Sequence, residues 1–139
     1  MRRIFFFLIV LTFAKAIPAQ RLPDHVYMPN IRTPKLFQQN NQQSLPLITL
    51  GAGDQLELHF DDMLGVVRNY YYTFELCNAD WTPADVNVFD YIKGFTQNRL
   101  SQYRMSTFAT TKYVHYQALI PERDCVPIKS GNYLVKPLI

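Results

Sequence analysis

Residues 70–81 read Tyr-Tyr-Tyr-Thr-Phe-Glu-Leu-Cys-Asn-Ala-Asp-Trp and decide the fold of this chain. Aromatic and β-branched residues favour a pleated strand, in which successive side chains point to opposite faces. The alternation therefore predicts a core face made of Tyr70, Tyr72, Phe74 and Leu76. Asn78 and Asp80 predict that the strand ends in a turn, because their side chains bond to nearby backbone groups. We expect Trp81 to fold back and cover the end of the strand.

The first 19 residues have the pattern of a secretion signal. Arg2 and Arg3 form a positive start, an apolar run covers residues 4–13, and small residues lead to a cut after Ala19, with Ala16 as the alternative. The apolar run is far shorter than the ~20 residues that cross a bilayer. We therefore predict a periplasmic protein with no membrane span in the mature chain.

The charge of the chain comes from its leader. Three of the 14 basic residues (Arg2, Arg3 and Lys15) precede the predicted cut, whereas all 11 acidic residues follow it. The mature chain is then neutral and lacks the basic field that nucleic-acid binding requires. We exclude nucleic acid as a partner on this ground.

The rest of the chain divides at residue 45. Residues 20–44 contain scattered prolines and an amide-rich run, which predicts an extended N-terminal arm. Thr82 and Pro83 predict the start of a short helix that ends at Gly94. Alternating patterns between turn residues predict six strands, at 45–50, 55–60, 70–77, 100–105, 112–120 and 130–136.

Short strands of this kind predict an all-β fold, an immunoglobulin-like β-sandwich over residues 45–139. Gly131 and Tyr133 resemble the tyrosine corner of such folds. The chain stops soon after the strand at 130–136, so we expect a fragment that is incomplete at its C-terminus and lacks its last strand. Pro137 suits an edge strand, and an unpaired edge would promote self-association.

Cys77 and Cys125 are the only thiols. An exported chain meets compartments in which a disulfide persists, so a bridge between the two is possible. The alternative is that Cys77 is a small buried apolar residue and Cys125 an exposed or half-buried thiol.

The histidines (His25, His59 and His115) and the acidic pair Asp61 and Asp62 are the candidates for chemistry. Their spacing matches no metal-binding, phosphate-binding or nucleophile motif. We therefore predict no catalytic, cofactor-binding or metal-binding residues, and turn or strand roles for these side chains. The alternative function is a secreted carbohydrate-binding module, in which exposed rings form a platform: Tyr71, Trp81, Tyr91 and Tyr103. Burial of these rings would exclude the platform.

Five blocks of the sequence resemble the plug protein family of the type IX secretion system of Bacteroidota. They are Leu56–Asp62, Tyr72–Trp81, Tyr91–Phe95, Tyr113–Tyr116 and Ser130–Tyr133. Their order and spacing cover about residues 27–136. The motif residues within them are Cys77, Asn78, Asp80, Trp81, Tyr91, Gly94, Phe95, His115, Tyr116, Gly131 and Tyr133.

The resemblance implies a non-enzymatic periplasmic protein without cofactors. It implies that the partner is the outer-membrane translocon barrel, whose periplasmic mouth the plug closes when no cargo is engaged. Family members are several times longer, so the resemblance also implies that this chain is their signal peptide and N-terminal domain. Partner capture separates this role from a sugar-binding module or an accessory domain of a hydrolase.

Overall fold

The computed structural model describes residues 25–139, and the predicted secretion signal lies outside the described residues. Within these residues, one 3₁₀ turn lies at Val88–Asp90. The strands are β1 (Ile31–Gln38), β2 (Leu56–Asp62), β3 (Tyr71–Cys77), β4 (Ile92–Gly94), β5 (Gln97–Arg99), β6 (Gln102–Met105), β7 (Val114–Ile120), β8 (Cys125–Pro127) and β9 (Asn132–Leu138).

Two antiparallel sheets and a short ribbon make up the architecture. The larger sheet has the strand order β1-β2-β7-β6, the smaller sheet has the order β5-β3-β9, and β4 pairs with β8. Every pairing between these strands is antiparallel. The prediction of an all-β sandwich is confirmed.

The core lies where the alternation of the sequence placed it. Along β2 and β7, buried residues alternate strictly with half-buried ones. The side chains that we predicted for the core face, Tyr70 just before β3 and Tyr72, Phe74 and Leu76 within it, are all buried. Three aromatic rings form the centre: the Phe60 ring is stacked on that of Tyr116, and the Tyr70 ring meets both edge-on. Such pairs contribute about 0.5–1.5 kcal/mol each beyond the area they bury.

A buried carboxylate fastens the loop between β2 and β3 to this core. Asp62 is fully buried and accepts hydrogen bonds from the Tyr70 hydroxyl (2.9 Å), the Asn30 amide (2.7 Å) and the backbone N–H of Leu64 (3.0 Å). Burial by itself raises the pKa of Asp62, but these hydrogen bonds outweigh it and hold the pKa below its usual value. Asp62 is therefore a structural anchor at the end of β2.

The predicted N-terminal arm contains a strand. Residues 31–38, which we expected within an extended arm, form β1 and pair with β2 from Ile31↔Asp62 to Gln38↔Leu56. Pro34 lies where the register shifts between Arg32 and Lys35, and Thr33 there has a φ of 51°. A bulge on an edge strand accommodates a proline, so Pro34 does not prevent strand pairing.

The strand predicted at 45–50 is absent. Leu45 and Leu47 are exposed, and the segment forms turns and irregular backbone before the turn at Gly51. A strand needs a hydrogen-bonded neighbour, and β1 occupies the free side of β2 instead.

The helix predicted from Thr82 to Gly94 is wrong in extent and in its cap. The only helical residues in this segment are those of the 3₁₀ turn, and Ile92–Gly94 at its end form β4. The cap of the turn is Asn87, whose side chain accepts a hydrogen bond from the Phe89 N–H at 3.0 Å. Pro83 instead forms an isolated β-bridge with Cys77, and the Ala84 N–H bonds to the Leu76 carbonyl. Backbone pairing of this segment with the end of β3 therefore outweighs the helix propensity of its local sequence.

The expected edge position of the last strand is confirmed for residues 25–139. β9 pairs with β3 along its whole length and has no second neighbour among the described strands. Pro137 lies opposite Tyr72, near the C-terminal end of this edge strand. Proline on an edge strand limits pairing with another chain.

Substitution of Gly94 tests the structure of the β4–β8 ribbon. Its φ is +96°, and an added Cβ would collide with the Asp124 carbonyl, 2.8 Å from the carbonyl carbon. Gly51 has a similar φ of +78° but open space around it, so it is a matched control. We expect Gly51→Ala to cost about 1 kcal/mol from the backbone conformation alone. Gly94→Ala should cost about 1–3 kcal/mol more, from the collision. Urea denaturation measures both, and equal losses would contradict this account of the ribbon.

Candidate functional site

The turn after β3 holds three of the motif residues, Asn78, Asp80 and Trp81. The Asn78 side chain donates to the Thr82 hydroxyl at 3.0 Å, and an oxygen of Asp80 accepts from the N–H (3.1 Å) and the hydroxyl (2.6 Å) of the same threonine. These two hydrogen bonds lower the pKa of Asp80. The prediction that Asn78 and Asp80 end the strand is confirmed. Both act on the turn itself.

Trp81 differs from the prediction that it covers the end of β3. Its side chain is 39% exposed, and its φ is 64°. A turn that needs positive φ fixes the backbone here, and the ring consequently lies at the surface rather than in the core.

The second motif block builds the ribbon. Tyr91 is buried, and its backbone carbonyl accepts from the Ile128 N–H at 2.9 Å. Gly94 allows the close approach to Asp124, whose carbonyl accepts from the Phe95 N–H. The Phe95 ring is exposed. Tyr91 and Gly94 therefore have structural roles, whereas the Phe95 side chain faces outward.

The possible disulfide is not formed. Cys77 and Cys125 are both buried free thiols, the first at the end of β3 and the second on β8 of the ribbon. The expectation that Cys125 is exposed or half-buried is therefore wrong. Burial raises the pKa of Cys125 to about 11 and also raises that of Cys77. A thiol that stays protonated is a poor nucleophile, so both cysteines act as small apolar residues.

The proposed aromatic platform is incomplete. Tyr91 is buried, Tyr71 is half-buried on β3, and the Tyr103 ring lies on β6 with its centre 5.9 Å from that of the core residue Tyr116. Trp81 is exposed in the turn after β3. Tyr103 is exposed as well, but the burial of Tyr91 removes one ring from the four-ring surface that the carbohydrate alternative requires.

The histidines give the unexpected feature of the structure. His59 on β2 and His115 on β7 lie on the outer face of the larger sheet, with His59 Nδ1 3.1 Å from His115 Nε2. His115 Nδ1 is 2.7 Å from an oxygen of Asp61, and His59 Nε2 is 3.2 Å from an oxygen of Glu57. The Thr33 hydroxyl donates to the second oxygen of Asp61. We call Glu57, His59, Asp61 and His115 the histidine cluster.

Packing and backbone contacts fix one end of this cluster. The ring of Phe37 stacks on His59 with the ring centres 5.2 Å apart and the planes 11° apart. Phe37 is buried, yet it lies outside the core between the sheets. Glu57 accepts from the Asn40 N–H at 3.0 Å, and this bond together with that to His59 lowers the pKa of Glu57. Glu57 is therefore held as a carboxylate.

Spacing along the sequence did not reveal this cluster. Asp61 and His115 are 54 positions apart but are direct partners in the β2–β7 register. His25 lies elsewhere, against the ring of Tyr27. Within residues 25–139, no group of three or more His, Cys, Asp or Glu side chains has the geometry of a metal site.

The remaining motif residues support the fold. Tyr116 is fully buried in the core, and its hydroxyl accepts from the N–H of Arg68 and donates to the carbonyl of the same residue. Gly131 lies against the side chain of Leu76. The Tyr133 hydroxyl donates to the carbonyl of Lys129, four residues upstream, at 2.7 Å. This is the hydrogen bond of a tyrosine corner, so the resemblance noted in the sequence is confirmed.

The tyrosine corner can be tested by removing one oxygen. Tyr133→Phe should cost about 1 kcal/mol of unfolding free energy, because one hydrogen bond is lost and the ring is kept. Tyr103→Phe, in a half-exposed residue, is the matched control and should be near neutral. Thermal unfolding of the two variants measures the difference, and a loss in Tyr103→Phe as large as that in Tyr133→Phe would contradict the assignment.

Two further observations bear on the class of protein. A depression lined by Gln55, Gln102, Gln117 and Glu122 has a volume of about 210 Å³. This is smaller than the ~300–1,000 Å³ of typical small-molecule sites. In the described part of the chain, no helix has the length and apolar character to cross a membrane.

The domain is an immunoglobulin-like β-sandwich. Its sheets and its tyrosine corner define this class, and the motif residues have structural roles within it. The particular family follows from comparison with known proteins. The chain belongs to the family described as the type 9 secretion system plug protein 1st domain, whose model matches residues 31–138.

The chain is also similar to a solved structure, that of a hypothetical protein from Parabacteroides merdae. The two are 31% identical with a TM-score of 0.75, and the match covers 80% of this chain and 28% of the other. The chain thus corresponds to less than a third of that relative. No curated protein matches the chain.

Proposed function

We propose that this chain is the N-terminal domain of a non-enzymatic periplasmic plug, a gating component of the type IX secretion translocon in the outer membrane. The observation that carries the proposal is the family match over residues 31–138, which includes every strand from β1 to β9. The partner is the translocon barrel, and export to the periplasm uses the signal predicted at residues 1–19.

The surface of the domain supports a role in protein contacts. Exposed apolar side chains lie in the loops that join β2 to β3 and β6 to β7: Met63, Leu64, Val66, Val67 and Phe108. Gly65 packs against Lys112, which brings the two loops together at one end of the sandwich. Clustered apolar side chains on a surface are typical of protein interaction sites.

Capture from the cell envelope tests the proposal. The chain, tagged at its C-terminus and expressed in a bacterium with a type IX system, is cross-linked in intact cells and purified from solubilised envelopes. We expect the translocon barrel to be enriched over other outer-membrane barrels. A parallel pull-down with insoluble polysaccharides tests the carbohydrate alternative. Binding to polysaccharide without enrichment of the barrel would overturn the proposal.

Fractionation tests the predicted location separately. We expect the chain in the periplasmic fraction with an N-terminus at Gln20. A chain that keeps residues 1–19 and stays with the inner membrane would contradict the export step.

A further inference from the structure

Two histidine nitrogens face each other in the histidine cluster. Nδ1 of His59 and Nε2 of His115 are 3.1 Å apart across β2 and β7. The opposite nitrogen of each ring faces its own carboxylate, Glu57 at 3.2 Å and Asp61 at 2.7 Å. Each imidazole therefore lies between a carboxylate and the other imidazole.

The chemistry of these groups determines what the facing nitrogens present. An ionised carboxylate only accepts hydrogen bonds, and a neutral imidazole has one N–H and one lone pair. In the tautomers in which each neutral imidazole donates its outer N–H to its own carboxylate, both inner nitrogens present lone pairs. Two lone pairs 3.1 Å apart can bind one electrophile together, either a proton or a metal ion.

We propose that His59 and His115 form a two-histidine binding site for a divalent transition-metal ion of the Zn²⁺ type. Zn–N bonds of about 2.0–2.1 Å at a tetrahedral angle place two nitrogens about 3.3–3.4 Å apart. The observed 3.1 Å is within a few tenths of an ångström of this separation. Imidazole is a ligand that suits Zn²⁺, Cu²⁺ and Ni²⁺.

The carboxylates occupy the positions that support metal-binding histidines. A ligating histidine almost always donates its other N–H to a carboxylate or carbonyl, which fixes the tautomer and the ring orientation. Glu57 does this for His59 and Asp61 for His115. The stacked ring of Phe37 holds His59 from its other side. The two ligands are thus oriented before a metal arrives.

The site is open and of moderate affinity. The side chains of His59 and His115 are 20% and 32% exposed, so water can fill the remaining coordination positions. Lys35 on β1 is the register partner of His59, and Arg104 on β6 is that of His115. These exposed cations repel a dication and partly offset the attraction of Glu57 and Asp61.

Calorimetric titration with ZnCl₂ tests the proposal on the 139-residue chain without a histidine tag. We expect saturable binding of one ion per chain. His59→Gln and His115→Gln should weaken binding at least tenfold, and Glu57→Gln or Asp61→Asn about 10–100-fold. His25→Gln is the matched control, because it removes an imidazole outside the cluster, and it should leave binding unchanged.

If a variant fails to fold, a measurement on the wild-type protein alone still tests the proposal. In ¹⁵N spectra of the imidazoles, ZnCl₂ should shift the ring nitrogens of His59 and His115 but not those of His25. No saturable binding would overturn the proposal and leave a shared proton between the two rings. Equal binding by wild type, His59→Gln and His115→Gln would overturn it as well.

Discussion

Tyr116→Ala is expected to unfold most of the protein at room temperature. The side chain is fully buried, stacks on Phe60 with ring centres 5.2 Å apart and meets Tyr70 edge-on at 4.9 Å. Truncating such an aromatic costs about 3–5 kcal/mol. The lost hydroxyl also leaves the backbone N–H and carbonyl of Arg68 without their partner. The sum is comparable to the total stability of a small domain, about 5–15 kcal/mol.

Trp81→Ala is the control for this prediction, because it removes a larger ring from a surface position. Its side chain is 39% exposed and its backbone has positive φ, so we expect a loss of about 1 kcal/mol or less. Trp81→Gly should be similar, because glycine adopts this conformation without strain. Circular dichroism with urea denaturation compares the variants. If Trp81→Ala unfolds the chain and Tyr116→Ala does not, the described core is wrong.

Asp62→Ala should cost at least about 3 kcal/mol, because it leaves the buried hydroxyl of Tyr70 and the N–H of Leu64 without an acceptor. Asp62→Asn keeps an acceptor and should cost less. Asp85→Ala, at an exposed aspartate, is the control and should stay within about 0.5 kcal/mol of wild type. Urea denaturation at neutral pH measures all three, and a loss in Asp85→Ala equal to that in Asp62→Ala would contradict the anchor.

Because of the same carboxylate, that of Asp62, we expect the free energy of unfolding to depend on pH. The pKa of Asp62 is lower in the folded chain than its usual value, so its ionised form stabilises the fold. That contribution is complete above the unfolded-state pKa of about 3.9 and is lost as pH falls through the lower folded-state pKa. The stability difference between wild type and Asp62→Asn should therefore shrink below about pH 4. A difference that stays constant down to pH 2 would contradict this.

Local patterns predicted the strands that line the core, and they failed where pairing decides the structure. The alternation in β2, β3 and β7 follows from burying one face of each strand, so it can be read from the residues alone. The helix signals at Thr82 and Pro83 were overridden because that segment pairs with the end of β3. Pro34 suggested an arm, but a bulge lets β1 pair on the edge of the sheet.

The motif residues and the histidine cluster also show that sequence patterns reveal contacts between residues close in the chain and miss contacts made by strand pairing. Asn78, Asp80 and Tyr133 act through bonds to residues at most five positions away, and their roles were readable in the sequence. His115 and Asp61 meet only because β2 and β7 are neighbours with a fixed register. Trp81 was misassigned because aromatic residues are usually buried, whereas the conformation of its turn keeps this ring at the surface.

Binding of the purified 139-residue chain to the purified translocon barrel in detergent decides whether the domain contacts the translocon. Sedimentation velocity with fluorescently labelled chain reports the complex at increasing barrel concentrations. We expect saturable binding that the folded variant Trp81→Gly retains and the unfolded variant Tyr116→Ala loses. A folded wild-type chain that shows no saturable binding, or the same signal with an unrelated outer-membrane barrel, would contradict it.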